Sequence, residues 1–219
     1  MRSVGKIFIL LVAAALLSFS GCKNGENGGA ILDVAAEVET EDSGTQVAVV
    51  IFEGINPVMD ATVTVNGENV PHLFLGIYTN TITTVSAGQT ATLDIQRSGS
   101  TINASLTMPQ RPTVTEPTSG TYDASNALLV QWGSVSPTPD SIGVIVDKSN
   151  TVSGVDYEVF LSGSSNSHSI PGNTLKTSIS GITVQVGSVN STTSLGSFAA
   201  AGSTFLVVNV DDSDSFSTQ

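Results

Sequence analysis

The sequence predicts an all-β protein built from two β-sandwich domains. Short segments of alternating apolar and polar residues recur at intervals of about ten residues, and Gly, Asn, Pro and Ser separate them, which is the pattern of a sandwich. The chain contains 21 glycines and only seven Lys plus Arg. Few runs of strong helix formers follow residue 22, so composition also favours strands.

The first group of strands lies within residues 30–109. Residues 45–52 are apolar enough to form a central strand that is buried on both faces. Residues 61–65 run into Asn66 and Gly67, the pair best suited to a two-residue hairpin turn because both tolerate a positive φ. The other segments with strand character are 30–37, 73–78, 81–85, 89–95 and 101–107.

Part of this first group has a recognisable order. Residues 61–67 read ATVTVNG, Tyr78 follows, and residues 87–95 read AGQTATLDI. Segment 57–95 thereby resembles the prealbumin-like or carboxypeptidase-regulatory-like sandwiches. An Ig-like sandwich would show the same pattern, so both assignments stay open for residues 30–109. Either resemblance implies a domain without catalytic apparatus of its own.

A proline-rich stretch separates the two groups of strands. Residues 109–117 read PQRPTVTEP, and these prolines disfavour both a helix and a central strand. We therefore begin the second domain at Gln110 and extend it to Gln219. Its strand segments are 112–117, 128–132, 142–146, 157–161, 178–186 and 204–210, and the connection 187–202 is long enough to contain another edge strand.

The second domain contains the only tryptophan. In residues 128–132, Leu128, Val130 and Trp132 recur at a spacing of two and would face one core. With the strand order above, residues 110–219 resemble a fibronectin type III or similar Ig-like module. The resemblance implies two tandem Ig-like β-sandwiches, with Trp132 as a core anchor rather than an exposed platform for sugar stacking.

The N-terminus reads as a secretory leader. Arg2 and Lys6 precede the apolar run 7–17, and residues 19–22 read FSGC. The apolar run is too short to cross a bilayer, which needs about 20 apolar residues. Cys22 is the only cysteine of the chain. The segment resembles a bacterial lipoprotein signal, although Phe19 stands where that family usually has leucine; an ordinary signal peptide cut elsewhere is the alternative.

The lipoprotein resemblance implies a location. Residues 1–21 would be removed, and Cys22 would carry acyl chains that hold the protein at a membrane. Residues 22–29 have no apolar side chain after the cysteine and contain three glycines, so they predict a flexible tether. Lys23 stands where such lipoproteins carry Asp when they stay at the inner membrane. We therefore expect an outer-membrane protein, facing either the periplasm or the surface.

Charge and motifs exclude several functions. The chain carries 19 acidic residues, and its net charge of −12 repels nucleic-acid phosphates. The sequence contains no Gly-x-Ser-x-Gly elbow, Walker-type loop or His-Glu-x-x-His motif. His72 and His168 are the only histidines, and one lies in each predicted domain. The sequence therefore predicts a protein that is not an enzyme and has no cofactor.

Acidic residues are the candidates for a metal site, because calcium takes six to eight oxygen ligands. Asp211, Asp212 and Asp214 follow the last predicted strand, and further acidic residues lie at Asp140, Asp147, Asp156 and Glu158. The expected partners are the membrane, through the lipid anchor, and another envelope protein. A glycan is the alternative partner, which an exposed Trp132 would favour.

Overall fold

The computed structural model describes residues 31–42 and 44–219, and they form an all-β protein, as predicted. The described residues also contain one short 3₁₀ helix, at Lys148–Asn150. Within the described residues, no helix is long and apolar enough to cross a membrane. The strands are β1 (Asp33–Glu41), β2 (Gly44–Glu53), β3 (Asn56–Pro57), β4 (Thr62–Val65), β5 (Glu68–Asn69), β6 (His72–Phe74), β7 (Ile77–Ile82), β8 (Thr90–Arg97), β9 (Ser100–Thr107), β10 (Val114–Glu116), β11 (Thr121–Tyr122), β12 (Leu128–Trp132), β13 (Ser141–Val146), β14 (Tyr157–Ser162), β15 (Ser167–Ile170), β16 (Ser180–Ile182), β17 (Gln185–Thr192), β18 (Thr204–Asp212) and β19 (Phe216–Thr218).

The chain forms two compact units. Among the described residues, unit 1 comprises 31–42, 44–108 and 190–208, and unit 2 comprises Pro109–Val189 together with Asn209–Gln219. The chain therefore passes from one unit to the other within β17 and again within β18.

Unit 1 is a sandwich of two sheets. One sheet has the order β18-β1-β2-β7-β6, with β3 on β2, and the other has the order β5-β4-β8-β9. Alternate residues of β4, β8 and β9 enter the core, as the period-two pattern predicts. Asn66 and Gly67 have φ values of 52° and 79°, which confirms the predicted two-residue turn between β4 and β5.

Segment 190–208 belongs to unit 1, whereas the strand pattern predicts a second sandwich that spans all of residues 110–219. Leu32 donates its N–H to the Phe198 carbonyl at 2.8 Å and accepts from the Ala200 N–H at 2.8 Å. The hydroxyl of Ser203 accepts from the Val34 N–H at 3.0 Å. The core of unit 1 also includes three fully buried residues of this segment: Leu195, Phe205 and Val207.

Unit 2 has the strand order of an Ig-like sandwich. Its sheets are β10-β12-β15 and β14-β13-β17, the latter continued by β18 from Asn209, and β11, β19 and β16 form a small third sheet. Successive strands change sheets in the Greek-key manner of such folds. Trp132 is 3% exposed and its Nε1 donates to the Ser165 carbonyl at 2.8 Å, which confirms its place in the core.

Three predicted strands are divided or cut short. Leu75 and Gly76 have φ values of 45° and 77°, and their turn divides the predicted strand 73–78 into β6 and the start of β7. The segment predicted at 81–85 is strand only as far as Ile82. The segment predicted at 178–186 is divided between β16 and β17. At Leu75 an apolar run continues through the turn, so hydrophobicity alone does not mark that break.

Candidate functional site

Strand β14 forms an open edge of unit 2. It stands at the end of the order β14-β13-β17, and in the described part of the chain no strand pairs with its outer side. Its antiparallel register with β13 runs without a bulge from Val146↔Tyr157 to Ser141↔Ser162. An unpaired and regular edge can hydrogen-bond an additional strand, so β14 is a candidate docking edge.

Phe160 is an exposed aromatic residue at the middle of this edge. Its side chain is 49% exposed, although β14 directs its neighbours Val159 and Leu161 toward the core of unit 2. A Cβ atom added at Gly143 would lie 3.2 Å from Cε1 of Phe160, so the ring lies over this glycine. Gly143 pairs in turn with Gly187. The two glycines leave the sheet surface beside the ring without side chains.

A hydrogen bond holds β14 against the facing sheet. The Tyr157 hydroxyl and His168 Nε2 are 2.6 Å apart, and their rings are stacked with centroids 6.0 Å apart. Burial lowers the pKa of His168, which favours a neutral imidazole. Nε2 of a neutral imidazole can accept a hydrogen bond from the Tyr157 hydroxyl. Burial also raises the pKa of Tyr157. Because β15 is the edge of its own sheet, this contact joins the edges of both sheets.

An acidic residue, Glu158, lies two positions before Phe160 on the same face of β14. Burial, followed by the charge of Asp156, raises the pKa of Glu158 on β14. Asp156 itself accepts from the Lys148 N–H at 2.6 Å, and Asp147 accepts from the Ser149 N–H at 2.7 Å. These two aspartates thus shape the loop before β14. The edge therefore presents an aromatic ring and a nearby acidic group.

The predicted calcium ligands are not brought together. Asp211 accepts from Arg111 Nη2 at 2.8 Å and from the Val114 N–H at 2.8 Å, so both of its carboxylate oxygens have protein partners. Asp212 and Asp214 are exposed. Across residues 31–42 and 44–219, no group of three or more His, Cys, Asp or Glu could hold a metal ion. The three aspartates do not surround one point, because β18 continues through Asp212 and holds Asp211 and Asp212 in an extended strand.

The other predicted residues have separate environments. Cys22, the predicted lipidation site, lies outside the described residues. His72 is a partly buried residue of β6 in unit 1, with its ring edge-to-face on Tyr78 at 5.1 Å, and His168 is a partly buried residue of β15 in unit 2. Sequence reasoning missed Phe160. The alternation of residues 157–161 already placed it on the face opposite Tyr157, Val159 and Leu161.

An open polar depression in unit 1 bears on the alternative of glycan binding. It has a volume of about 450 Å³, and its lining consists of Asn66, Glu68, Thr83, Thr84, Gln89 and Thr90. The Glu68 carboxylate accepts from the Thr83 N–H at 3.1 and 3.2 Å. This lining contains no aromatic side chain on which a sugar could stack.

Solved structures with some similarity to this chain are themselves β-sandwich proteins. The FN1–FN3 domains of chicken CNTN1 match with 10% identity and a TM-score of 0.31, covering 83% of this chain and 67% of that one. A two-fibronectin type III segment of chicken tenascin matches with 13% identity and a TM-score of 0.26, covering 81% and 97%. The IG1+IG2 domains of DIP-gamma match with 9% identity and a TM-score of 0.28, covering 85% and 98%. No family model and no curated protein matches the chain. At these TM-scores the likenesses carry no argument about function.

Proposed function

We propose that this protein is a non-catalytic, lipid-anchored protein of the bacterial cell envelope that binds another envelope protein through the open edge of β14. The leader ending in Cys22 supports the anchor, and Lys23 supports residence at the outer membrane. The observation that carries the binding function is the exposed Phe160 on an unpaired and regular edge strand.

The chemistry of the edge defines the partner. An extended segment of the partner would add to β14 through backbone hydrogen bonds, since a strand edge offers unpaired donors and acceptors. An apolar side chain of that segment would cover the Phe160 ring, and a basic side chain would lie opposite Glu158. Strand β9 is also a sheet edge, but its exposed residues Thr101, Asn103 and Ser105 offer no apolar anchor.

The binding edge can be tested with matched variants. We expect Phe160→Ala to weaken partner binding by about 2 kcal/mol, or roughly 30-fold, because truncating a central aromatic anchor has this effect at interfaces. Leu129→Ala is the control, since Leu129 is 47% exposed on β12 of the other sheet. The leaderless protein would capture partners from envelope extract, with and without a chelator, and binding would then be titrated with the purified partner.

Three outcomes would contradict the proposal. Equal capture by the Phe160→Ala and wild-type proteins would exclude this edge as the binding site. Retention on an envelope polysaccharide, with no captured protein, would favour the glycan alternative. Loss of capture in chelator would indicate a metal-dependent interaction that the described acidic residues do not explain.

The anchor has its own test. Cys22→Ala should abolish labelling by fatty acid and release the protein into the soluble fraction, because the thiol is the only acylation site that the leader offers. A Cys22→Ala protein that remains in the membrane fraction would argue against the anchor.

A further inference from the structure

Unit 1 exposes five large apolar side chains in two turns. We call residues 54–61, which lead from β2 through β3 to β4, the first turn; it carries Ile55 and Met59, which are 91% and 60% exposed. We call residues 72–76, which are β6 and the two residues before β7, the second turn; it carries Leu73, Phe74 and Leu75, which are 59%, 51% and 62% exposed. We call these five residues the apolar tip. Single exposed apolar residues are ordinary, whereas a group of this size marks an interaction surface.

The two turns pack directly on each other. A Cβ atom at Gly76 would lie 2.5 Å from the Ile51 carbonyl oxygen and 3.2 Å from Cβ of Pro57, so only glycine permits this approach. The Gly76 carbonyl accepts from the Ile51 N–H at 2.9 Å. Behind them, the buried Tyr78 hydroxyl donates to the Val58 carbonyl at 3.1 Å. The apolar tip therefore rests on a fixed backbone.

The chain enters unit 1 at the same end of the sheet. Asp33, the first residue of β1, pairs with Phe52 near the end of β2, and Phe52 also pairs with Pro57 of the first turn. Nine peptide links separate Cys22 from Ile31, where the described chain begins. Even a fully extended chain of nine residues spans only about 32 Å. A chain anchored at Cys22 therefore enters unit 1 at the tip end, and the tip lies within reach of the bilayer.

Charge around the tip suits an uncharged lipid surface. The sequence contains no Asp, Glu, Lys or Arg from Asn69 to Leu93, which includes the whole second turn. Glu53 precedes the first turn, Asp60 lies near its end, and each lies 2.6 Å from the guanidinium of Arg97. Together with the buried Asp33, which bonds the Gly54 backbone, these groups carry a modest net negative charge, and the described part of the tip has no unpaired cation that would select anionic lipids.

We propose that the apolar tip inserts into the surface of the bilayer that carries the Cys22 anchor, with zwitterionic phospholipid as its ligand. This inference rests on the proposed lipid anchor. Acyl chains supply one membrane attachment, and the tip supplies a second that fixes which end of unit 1 faces the lipid. Apolar side chains at such a surface reach about 5–10 Å, to the boundary of headgroups and acyl chains.

The test uses the single cysteine and two matched reporters. The mature chain from Cys22 would be coupled through that thiol to a maleimide phospholipid in phosphatidylcholine vesicles, which supplies the anchor whether or not cells acylate it. Phe74→Trp reports from the tip, and Phe160→Trp reports from an equally exposed phenylalanine, 49% against 51%, in unit 2. Signal from the buried Trp132 is subtracted with the otherwise unaltered chain.

We expect vesicles with brominated acyl chains to quench the added fluorescence of the Phe74→Trp variant and shift its emission to the blue. The same vesicles should leave the added fluorescence of the Phe160→Trp variant unchanged. Absence of quenching in the Phe74→Trp variant, or equal quenching in both variants, would overturn the inference. Concentration-dependent dimerisation that Phe74→Ser abolishes would overturn it in favour of a second copy on the tip. Failure of acylation in cells would instead be seen in the Cys22→Ala comparison, so the two failures are distinguishable.

Discussion

Removing one hydroxyl group should destabilise unit 1 measurably. Tyr78 is 1% exposed, and its hydroxyl donates to the Val58 carbonyl and accepts from the Ala61 N–H, both at 3.1 Å. Tyr78→Phe keeps the ring and so creates no large cavity. It leaves the carbonyl of the fully buried Val58 unpaired, while the N–H of the partly exposed Ala61 can turn to water. An unpaired buried group costs about 1–3 kcal/mol and a lost hydrogen bond about 1 kcal/mol, so we expect a total loss of about 2–4 kcal/mol.

The assay is urea unfolding followed by far-UV circular dichroism. Trp132 fluorescence in the same titration reports on unit 2, where this tryptophan lies. Tyr122→Phe is the matched control, because the Tyr122 hydroxyl donates to the exposed Thr118 carbonyl at 3.0 Å. We expect the control to change the free energy of unfolding by no more than about 0.5 kcal/mol. Equal effects of the two substitutions would refute the assignment of a buried role to the Tyr78 hydroxyl.

Three further predictions concern the backbone, pH and the division into units. In urea unfolding, Gly76→Ala should destabilise unit 1 far more than Gly88→Ala. Both glycines have φ near +80°, but only at Gly76 would an added Cβ atom lie against backbone atoms. Equal losses of stability would contradict the packing of the two turns. Burial lowers the pKa of His168 below its ordinary 6.5, so the unfolded chain takes up the proton first as pH falls. Stability should therefore decrease below about pH 6.5, and His168→Asn should reduce this decrease. Identical pH profiles of the two proteins would count against burial as the cause. A fragment ending at Pro109 should show no cooperative unfolding, because it lacks Phe205 and the rest of segment 190–208; a stable fragment would show that this segment is dispensable.

Local patterns predicted much of the strand structure. The turn at Asn66 and Gly67 requires two residues that tolerate positive φ, and this requirement is visible in the sequence. The burial of Trp132 followed from period-two alternation in β12, because alternation records which face of a strand is apolar. The predicted strand 73–78 was wrong at Leu75, where the structure has a turn. Leu75 is a non-glycine residue with positive φ inside an apolar run, and neither composition nor alternation marks a turn there.

The candidate docking edge was only partly visible in advance. Alternation in residues 157–161 places Phe160 on the outer face, but the sequence does not say that β14 has an open side. Strand order depends on pairing between distant residues, such as Gly143 with Gly187, and no local pattern encodes it. The same limitation applies to the expected calcium site. The sequence does not reveal that Asp211 pairs with Arg111, which lies in another part of the chain.

The sequence by itself determined that the described chain is β structure, which residues face a core, and that the net charge is acidic, because alternation, turn chemistry and composition are local properties. Only the tertiary structure decided that segment 190–208 completes unit 1, that β14 ends a sheet, and that the segments carrying Ile55 and Phe74 pack together. Those features depend on contacts between residues far apart in the chain, and hydrophobic burial drives such contacts without specifying in the sequence which partner is chosen.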